Sequence, residues 1–228
     1  MEFGESNRWL DHVSGEITEL FKAIDEGEHQ KQDFKFRIDS AQKIAVTLVS
    51  FANTDGGKLL IGVKDNGRIT GVDPEEEFYM IEGAATLYCQ PVVHFKTMVY
   101  ENEEGKKVLE VEVPASQDSP HSAKTESGQW KVFIRQGDEN FAANGVIVDY
   151  LKNKQPVSKR KNMVAYGPEE RALFELLSRT RETSISRFKK EAGIEDIRVA
   201  ERILVLFLQW KIIGYRATEK GIRFYLLS

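Results

Sequence analysis

The sequence predicts an α+β fold with a mixed sheet over residues 1–151, a basic linker over 152–166 and a small domain over 167–228. Three observations carry this. Helical periodicities and strand-like runs alternate along the first part, with too few β-α-β units for a doubly wound sheet. The stretch KNKQPVSKRKNMVA is polar, basic and interrupted by Pro156, as linkers are. Charge divides at the same place: 151–228 holds 17 Lys and Arg against 9 Asp and Glu, while the rest holds 15 against 27.

Trp9, Leu10, Val13, Ile17, Leu20, Phe21 and Ile24 recur at helical spacing and predict an amphipathic helix over 6–25, with Gly27 as its C-cap. Asp33–Arg37 alternates as a short strand does. A second helix is expected over 40–53, capped by Asp39 or Ser40 and ended by Asn53-Thr54-Asp55-Gly56-Gly57. Lys58–Val63 is almost continuously apolar and should be buried on both faces. Asp65-Asn66-Gly67 signals a tight turn, with 68–72 returning as the partner strand. A helix over 75–89, a hairpin of 92–100 with 107–113, a polar loop over 114–128, a strand over 130–135 with Trp130 in the core, and a closing helix over 145–151 complete this part.

The small domain opens at Gly167-Pro168, a proline placed where a helix starts. Helices are expected over 169–179, 184–192 and 195–210, then strands over 211–216 and 221–227. Three helices followed by a β-hairpin is the element order of a winged helix-turn-helix.

Composition narrows the chemistry. Cys89 is the single cysteine, and His12, His29, His94 and His121 are scattered. Neither a disulfide nor a structural metal is expected, no cofactor is expected, and Cys89 reads as a small buried residue. No apolar run is long enough to span a membrane and no leader pattern opens the chain. The expectation is a cytoplasmic protein with no membrane partner.

The segments EHQKQDFK and SFANTDGGKLLIGVKDNGRITGV resemble the Schlafen-type AlbA-like domain. Its pattern has an acidic residue ahead of a strand ending in Phe-Lys, then a helix ending in Phe-Ala-Asn. A Gly-Gly turn, a Leu-Ile-Gly-Val strand and an acidic turn follow. Pro114–Ser122 and VFIRQG at 132–137 resemble the family's later loop and strand, so the likeness covers about residues 15–150. The resemblance implies nucleic-acid binding. It also implies that, if the chain were a nuclease cutting structured RNA with Mg or Mn, Glu28, Asp33 and Asp65 would be its catalytic and metal-ligating residues. Asp33 departs from the pattern, which has Glu there. Asp65 can equally be a turn former.

Several groups could meet phosphates: Lys35 and Lys64, the Gly56 and Gly57 amides, and Arg135, which could instead pair with Asp138 or Glu139. The glycines could equally serve a tight connection needing positive φ. In the small domain Arg187, Lys189 and Lys190 lie on the second helix, Arg198 and Arg202 on the third, and Arg216 and Lys220 on the wing. These suit backbone contacts more than base readout, because the third helix also carries Glu195, Asp196 and Glu201. Its apolar surplus over 203–208 implies a homodimer. The reading is a nucleic-acid-binding protein (DNA or RNA), a regulator of bacterial type gripping DNA through phosphates. A metal-dependent ribonuclease and a nucleotide-sensing or assembly module are the alternatives.

Overall fold

The structure, a computed structural model, describes residues 16–153 and 167–227. The expectations resting on Trp9, Leu10 and Val13, and on linker residues Lys154, Lys159, Arg160 and Lys161, lie outside the described residues. The chain splits between Asn140 and Phe141 into two compact units.

In the first unit, α1 (Ile17–Glu26), β1 (Gln32–Lys35), α2 (Ala41–Asn53) and β2 (Gly57–Ile61) come first. They are followed by α3 (Pro74–Leu87), β3 (Cys89–Gln90), β4 (Lys96–Glu101), β5 (Lys107–Val113), β6 (Ser122–Lys124) and β7 (Trp130–Gln136), and then by β8 (Glu139–Ala142), within which the division between the units falls. Two four-stranded sheets form, ordered β1-β2-β5-β4 and β3-β6-β7-β8. The first is mixed: β1 and β2 are parallel, joined by α2, while β5 pairs antiparallel with both β2 and β4. The α+β class and mixed sheet are therefore as predicted.

Strand parity explains the layering. Leu59 and Ile61 point into a core shared with α2, α3 and β5, through Ile44, Leu48, Phe51, Ile81, Leu109 and Val111. Leu60, one residue out of phase, points to the other face and packs with Leu20, Phe34, Tyr100 and Val108. Thus β2 is buried on both sides, as its apolar run requires, and each such side chain contributes about 1.5–3 kcal/mol. The Ser40 hydroxyl caps α2 by accepting from the Lys43 amide, and Asp73 caps α3 from the Glu75 and Glu76 amides. Gly27 ends α1 at φ +72°.

The expected hairpin after Lys58–Val63 forms only at its turn, and 68–72 makes no strand. Both edges of β2 are taken by β1 and β5, and around Asp65-Asn66-Gly67 there remain a Val63–Ile69 bridge and bonds from the Lys64 amide to the Arg68 carbonyl at 3.0 Å and from the Thr70 amide to the Gly62 carbonyl at 2.8 Å. The segment then turns to the Lys107 carbonyl, which accepts from the Val72 amide. The loop over 114–128 contains β6, and Trp130 is 44% exposed rather than in the core.

The second unit holds α4 (Gly145–Lys152), α5 (Pro168–Thr180), β9 (Glu182–Thr183), α6 (Ile185–Glu191), α7 (Ile197–Gln209), β10 (Ile213–Arg216) and β11 (Arg223–Leu226). A three-stranded sheet runs β10-β11-β9. Ser184 caps α6 and Asp196 caps α7. Helix α4, expected to close the first domain, packs on α7, as do α6 and β10. Ala200, Ile203, Leu204, Phe207 and Leu208 are buried by these neighbours within one chain. Most of the apolar surplus of α7, read as a dimer contact, thus has cover inside the unit, while Val205 and Leu206 stay half-buried.

Candidate nucleic-acid interface

The predicted acids gather at the end of β1. Glu28 follows Gly27, and its Oε1 accepts from the Phe34 amide at 2.9 Å. Partial burial, reinforced by the charges of Asp33 and Asp65, lifts the Glu28 carboxyl above its ordinary range, although the Phe34 amide and Lys35 pull it down. Glu28 therefore feels the charges of both Asp33 and Asp65. The three acids nonetheless do not fit a metal centre. Asp33 is buried, its Oδ1 accepts from Arg135 Nη2 at 3.2 Å, and its Oδ2 contacts Lys35 Nζ at 2.7 Å without aligned hydrogen-bond geometry. Carboxylate oxygens already neutralised by protein cations have little left to offer an ion. Among the described residues no group of three or more His, Cys, Asp or Glu is placed to hold one.

Lys35, half-exposed, also donates to the Phe34 carbonyl at 2.8 Å, so it serves Asp33 and its own strand. Lys64 and Asp65 are exposed on the loop after β2. Between them and β1 lies a residue that sequence reasoning passed over. Phe36 is 47% exposed, with Lys64 Nζ 5.3 Å and the Arg37 guanidinium carbon 5.9 Å from its ring centroid. Its signal was the second aromatic in Asp33-Phe34-Lys35-Phe36-Arg37, flanked by cations.

Arg135 is not a surface phosphate ligand, nor does it pair with Asp138 or Glu139. Its side chain is wholly buried. The guanidinium donates to the His29 carbonyl at 3.2 Å, the Gln32 carbonyl at 2.8 Å and Asp33, and lies 4.8 Å from the Phe51 ring centroid. Gln30 repeats the link, donating to the Arg135 carbonyl at 3.0 Å and accepting from the Gly137 amide at 2.9 Å. β7 is thus strapped to the start of β1, which fixes the acidic junction.

Gly56 and Gly57 also turn inward. Gly56 has φ +71°, its amide donates to the Phe51 carbonyl at 3.0 Å, and an added Cβ would lie 2.8 Å from the Val113 and Ala115 backbone. At Gly57 a Cβ would fall 2.3 Å from the Phe51 ring. Close backbone approach, not a phosphate cradle, accounts for the pair.

A second unforeseen cluster surrounds Asn53 at the end of α2. Its amide donates to the His121 and Phe133 carbonyls, both at 2.8 Å, and its oxygen accepts from the His121 amide at 2.7 Å. His121 Nδ1 lies 2.9 Å from the Pro91 carbonyl, which can only accept, so Nδ1 carries a proton, and Nε2 lies 2.7 Å from the Ser116 hydroxyl, from which the neutral ring accepts. An apolar cavity of about 400 Å³ lies elsewhere in the unit, lined by Phe78, Ala85, Val93, Phe95 and Pro114, with His94 and Lys96 among its exposed residues. Cys89 is buried beside the Ala45 carbonyl, and burial pushes its thiol up to about 12. Iodoacetamide at pH 8 should leave the native protein unlabelled and label it fully in denaturant; rapid native labelling would contradict this burial.

In the second unit the predicted cations sort by partner. Arg198 is held by Asp196 at 2.9 Å, Arg216 by Glu182, and Arg187 lies 4.0 Å from Glu191. Lys189, Lys190, Arg202 and Lys220 form no ion pair among the described residues. Lys189 and Lys190 end α6 and line one shallow hollow with Ser186, Gly193, Ile194 and Ile197. Lys220 and Arg223 line another with Thr218. No helix among the described residues is long and apolar enough to cross a membrane.

Comparison with known proteins bears on the first unit. No curated protein matches the chain. Among solved structures it is similar to the DIP2311 protein from Corynebacterium diphtheriae, with 20% identity and a TM-score of 0.42 over 61% of this chain. The likeness spans 28% of that protein's length. Residues 28–144, from the acidic Glu28 to the N-cap of α4, match the family described as Schlafen, AlbA_2, and the chain belongs to that family.

Proposed function

We propose that the protein is a nucleic-acid-binding regulator that holds its polymer mainly by phosphate contacts. On this reading α5, α6, α7 and the β10–β11 hairpin form a winged helix-turn-helix module. The observation that carries it is the adjacent pair Lys189 and Lys190, which make no close ion pair among the described residues although Lys189 feels the Asp196 carboxylate, beside the exposed first turn of α7. Cations so placed meet a polyanion without first losing an ion pair. Membership in a family associated with nucleic-acid binding agrees with this. Sequence readout by α7 has weaker support, because Asp196 occupies the Arg198 guanidinium. Catalysis by Glu28, Asp33 and Asp65 is disfavoured by the engagement of Asp33.

Fluorescence anisotropy of labelled duplex DNA and hairpin RNA, over a range of salt, tests the proposal. Binding should weaken steeply with salt, and the polymer should stay intact with Mn²⁺ on a denaturing gel. Lys189→Ala with Lys190→Ala should lower affinity equally on unrelated sequences and reduce the salt slope by about 1 for each phosphate that a lysine no longer neutralises. An unchanged slope would remove the pair from the interface.

A further inference from the structure

We infer that Phe36 is a stacking platform for an unpaired base, which makes the β1 end of the first unit a site for single-stranded nucleic acid. This rests on the nucleic-acid reading above and specifies the form of the polymer. The ring continues the alternation of β1, yet Phe34 is 1% exposed in the core while Phe36 keeps 47% of its surface open. The Lys64 ammonium and the Arg37 guanidinium lie over the ring, 5.3 and 5.9 Å from its centroid, in cation-π contact. A half-exposed aromatic ring with two cations against it is suited to an unpaired base on the ring, the cations turning from the ring to the flanking phosphates. Arg37 is shared with Asp39 at 2.8 Å, whereas Lys64 has no carboxylate partner among the described residues, so Lys64 is the stronger phosphate ligand.

The neighbouring acids select for the same ligand. Glu28 and Asp65 act on one another electrostatically at this junction. Next to the phosphate rails of a duplex these carboxylates would repel. Next to an unpaired base they can accept from the pairing-edge N–H groups, thymine N3–H among them, that base pairing would otherwise occupy. An acidic floor beside an aromatic platform therefore favours a strand that presents its bases, with Lys64 holding the backbone.

The test uses the full chain and three labelled probes of about twelve nucleotides: oligo-dT, an abasic strand with the same backbone, and a duplex. Phe36→Ala should bind oligo-dT about tenfold more weakly, within the range for one stacked base. Its affinity for the abasic strand and the duplex should be unchanged, and Phe36→Trp should restore binding to oligo-dT. A Phe36→Ala variant that binds oligo-dT like the wild type, or weakens on the abasic strand as much, overturns the inference. Wild-type binding to duplex but not oligo-dT overturns it while the broader reading stands. Failure to bind any of the three probes overturns both.

Discussion

Arg135→Ala is expected to cost about 3–5 kcal/mol of stability in the first unit and to leave any surface phosphate site untouched. Removing one member of a buried ion pair strands the other charge in a poorly solvated place. Here the stranded groups are Asp33 Oδ1 at 3.2 Å and the His29 and Gln32 carbonyls. Lys35 stays 2.7 Å from Asp33 Oδ2 and offsets part of the loss, which favours the lower end of the range. Arg135→Lys should rescue little, because one ammonium cannot reach acceptors spread around a planar fork. Asp33→Asn combined with Arg135→Met should recover some stability, since no buried charge is then left alone and the half-exposed Lys35 is solvated. Urea unfolding read by amide exchange on β1 and β7 would report the change locally. A variant that unfolds like the wild type but binds nucleic acid poorly would mean that Arg135 faces the polymer after all.

The residues that define this site differ in how far local sequence reveals them. The burial of β2 on both faces is legible because parity within Lys58–Val63 is a local property. So are the Ser40 cap and the Gly27 stop. The flanks of the Asp65-Asn66-Gly67 turn look like a full hairpin locally, but with both β2 edges occupied by β1 and β5 the pairing stays confined to the residues beside the turn. Arg135 misleads for a similar reason. Within Arg135-Gln136-Gly137-Asp138-Glu139 it looks like a surface cation at a turn, but its partner Asp33 lies 102 residues away. Nothing within a local window marks that pairing. The apolar run of α7 is legible as a surplus, yet its cover, α4, stands outside the helix-helix-hairpin pattern and reads locally as part of the first domain. The glycine pair signals backbone necessity, and the Phe51 ring that forbids a side chain at Gly57 supplies the cause.

Asn53→Leu should lower stability by about 3 kcal/mol while keeping nearly the same side-chain volume. The substitution removes two donated hydrogen bonds at 2.8 Å and one accepted at 2.7 Å, leaving the His121 amide and the His121 and Phe133 carbonyls without these partners. Each buried polar group left unsatisfied costs about 1–3 kcal/mol, and partial relaxation keeps the total below the sum. Asn53→Asp should be worse, since a carboxylate cannot donate to the two carbonyls and would face them as a buried negative charge. The effect should also be directional. Asn53 ties α2 to β7 and to the loop before β6, and that loop is otherwise held by the Ser116 amide on the Ala52 carbonyl and by the Ser116–His121 pair. Amide exchange at His121 should therefore accelerate well before exchange in β2, whose hydrogen bonds run to β1 and β5. If His121 exchange stays slow in Asn53→Leu, the contacts of Ser116 and His121 with Ala52, Pro91 and each other fix the loop without the asparagine, and its predicted contribution is overturned.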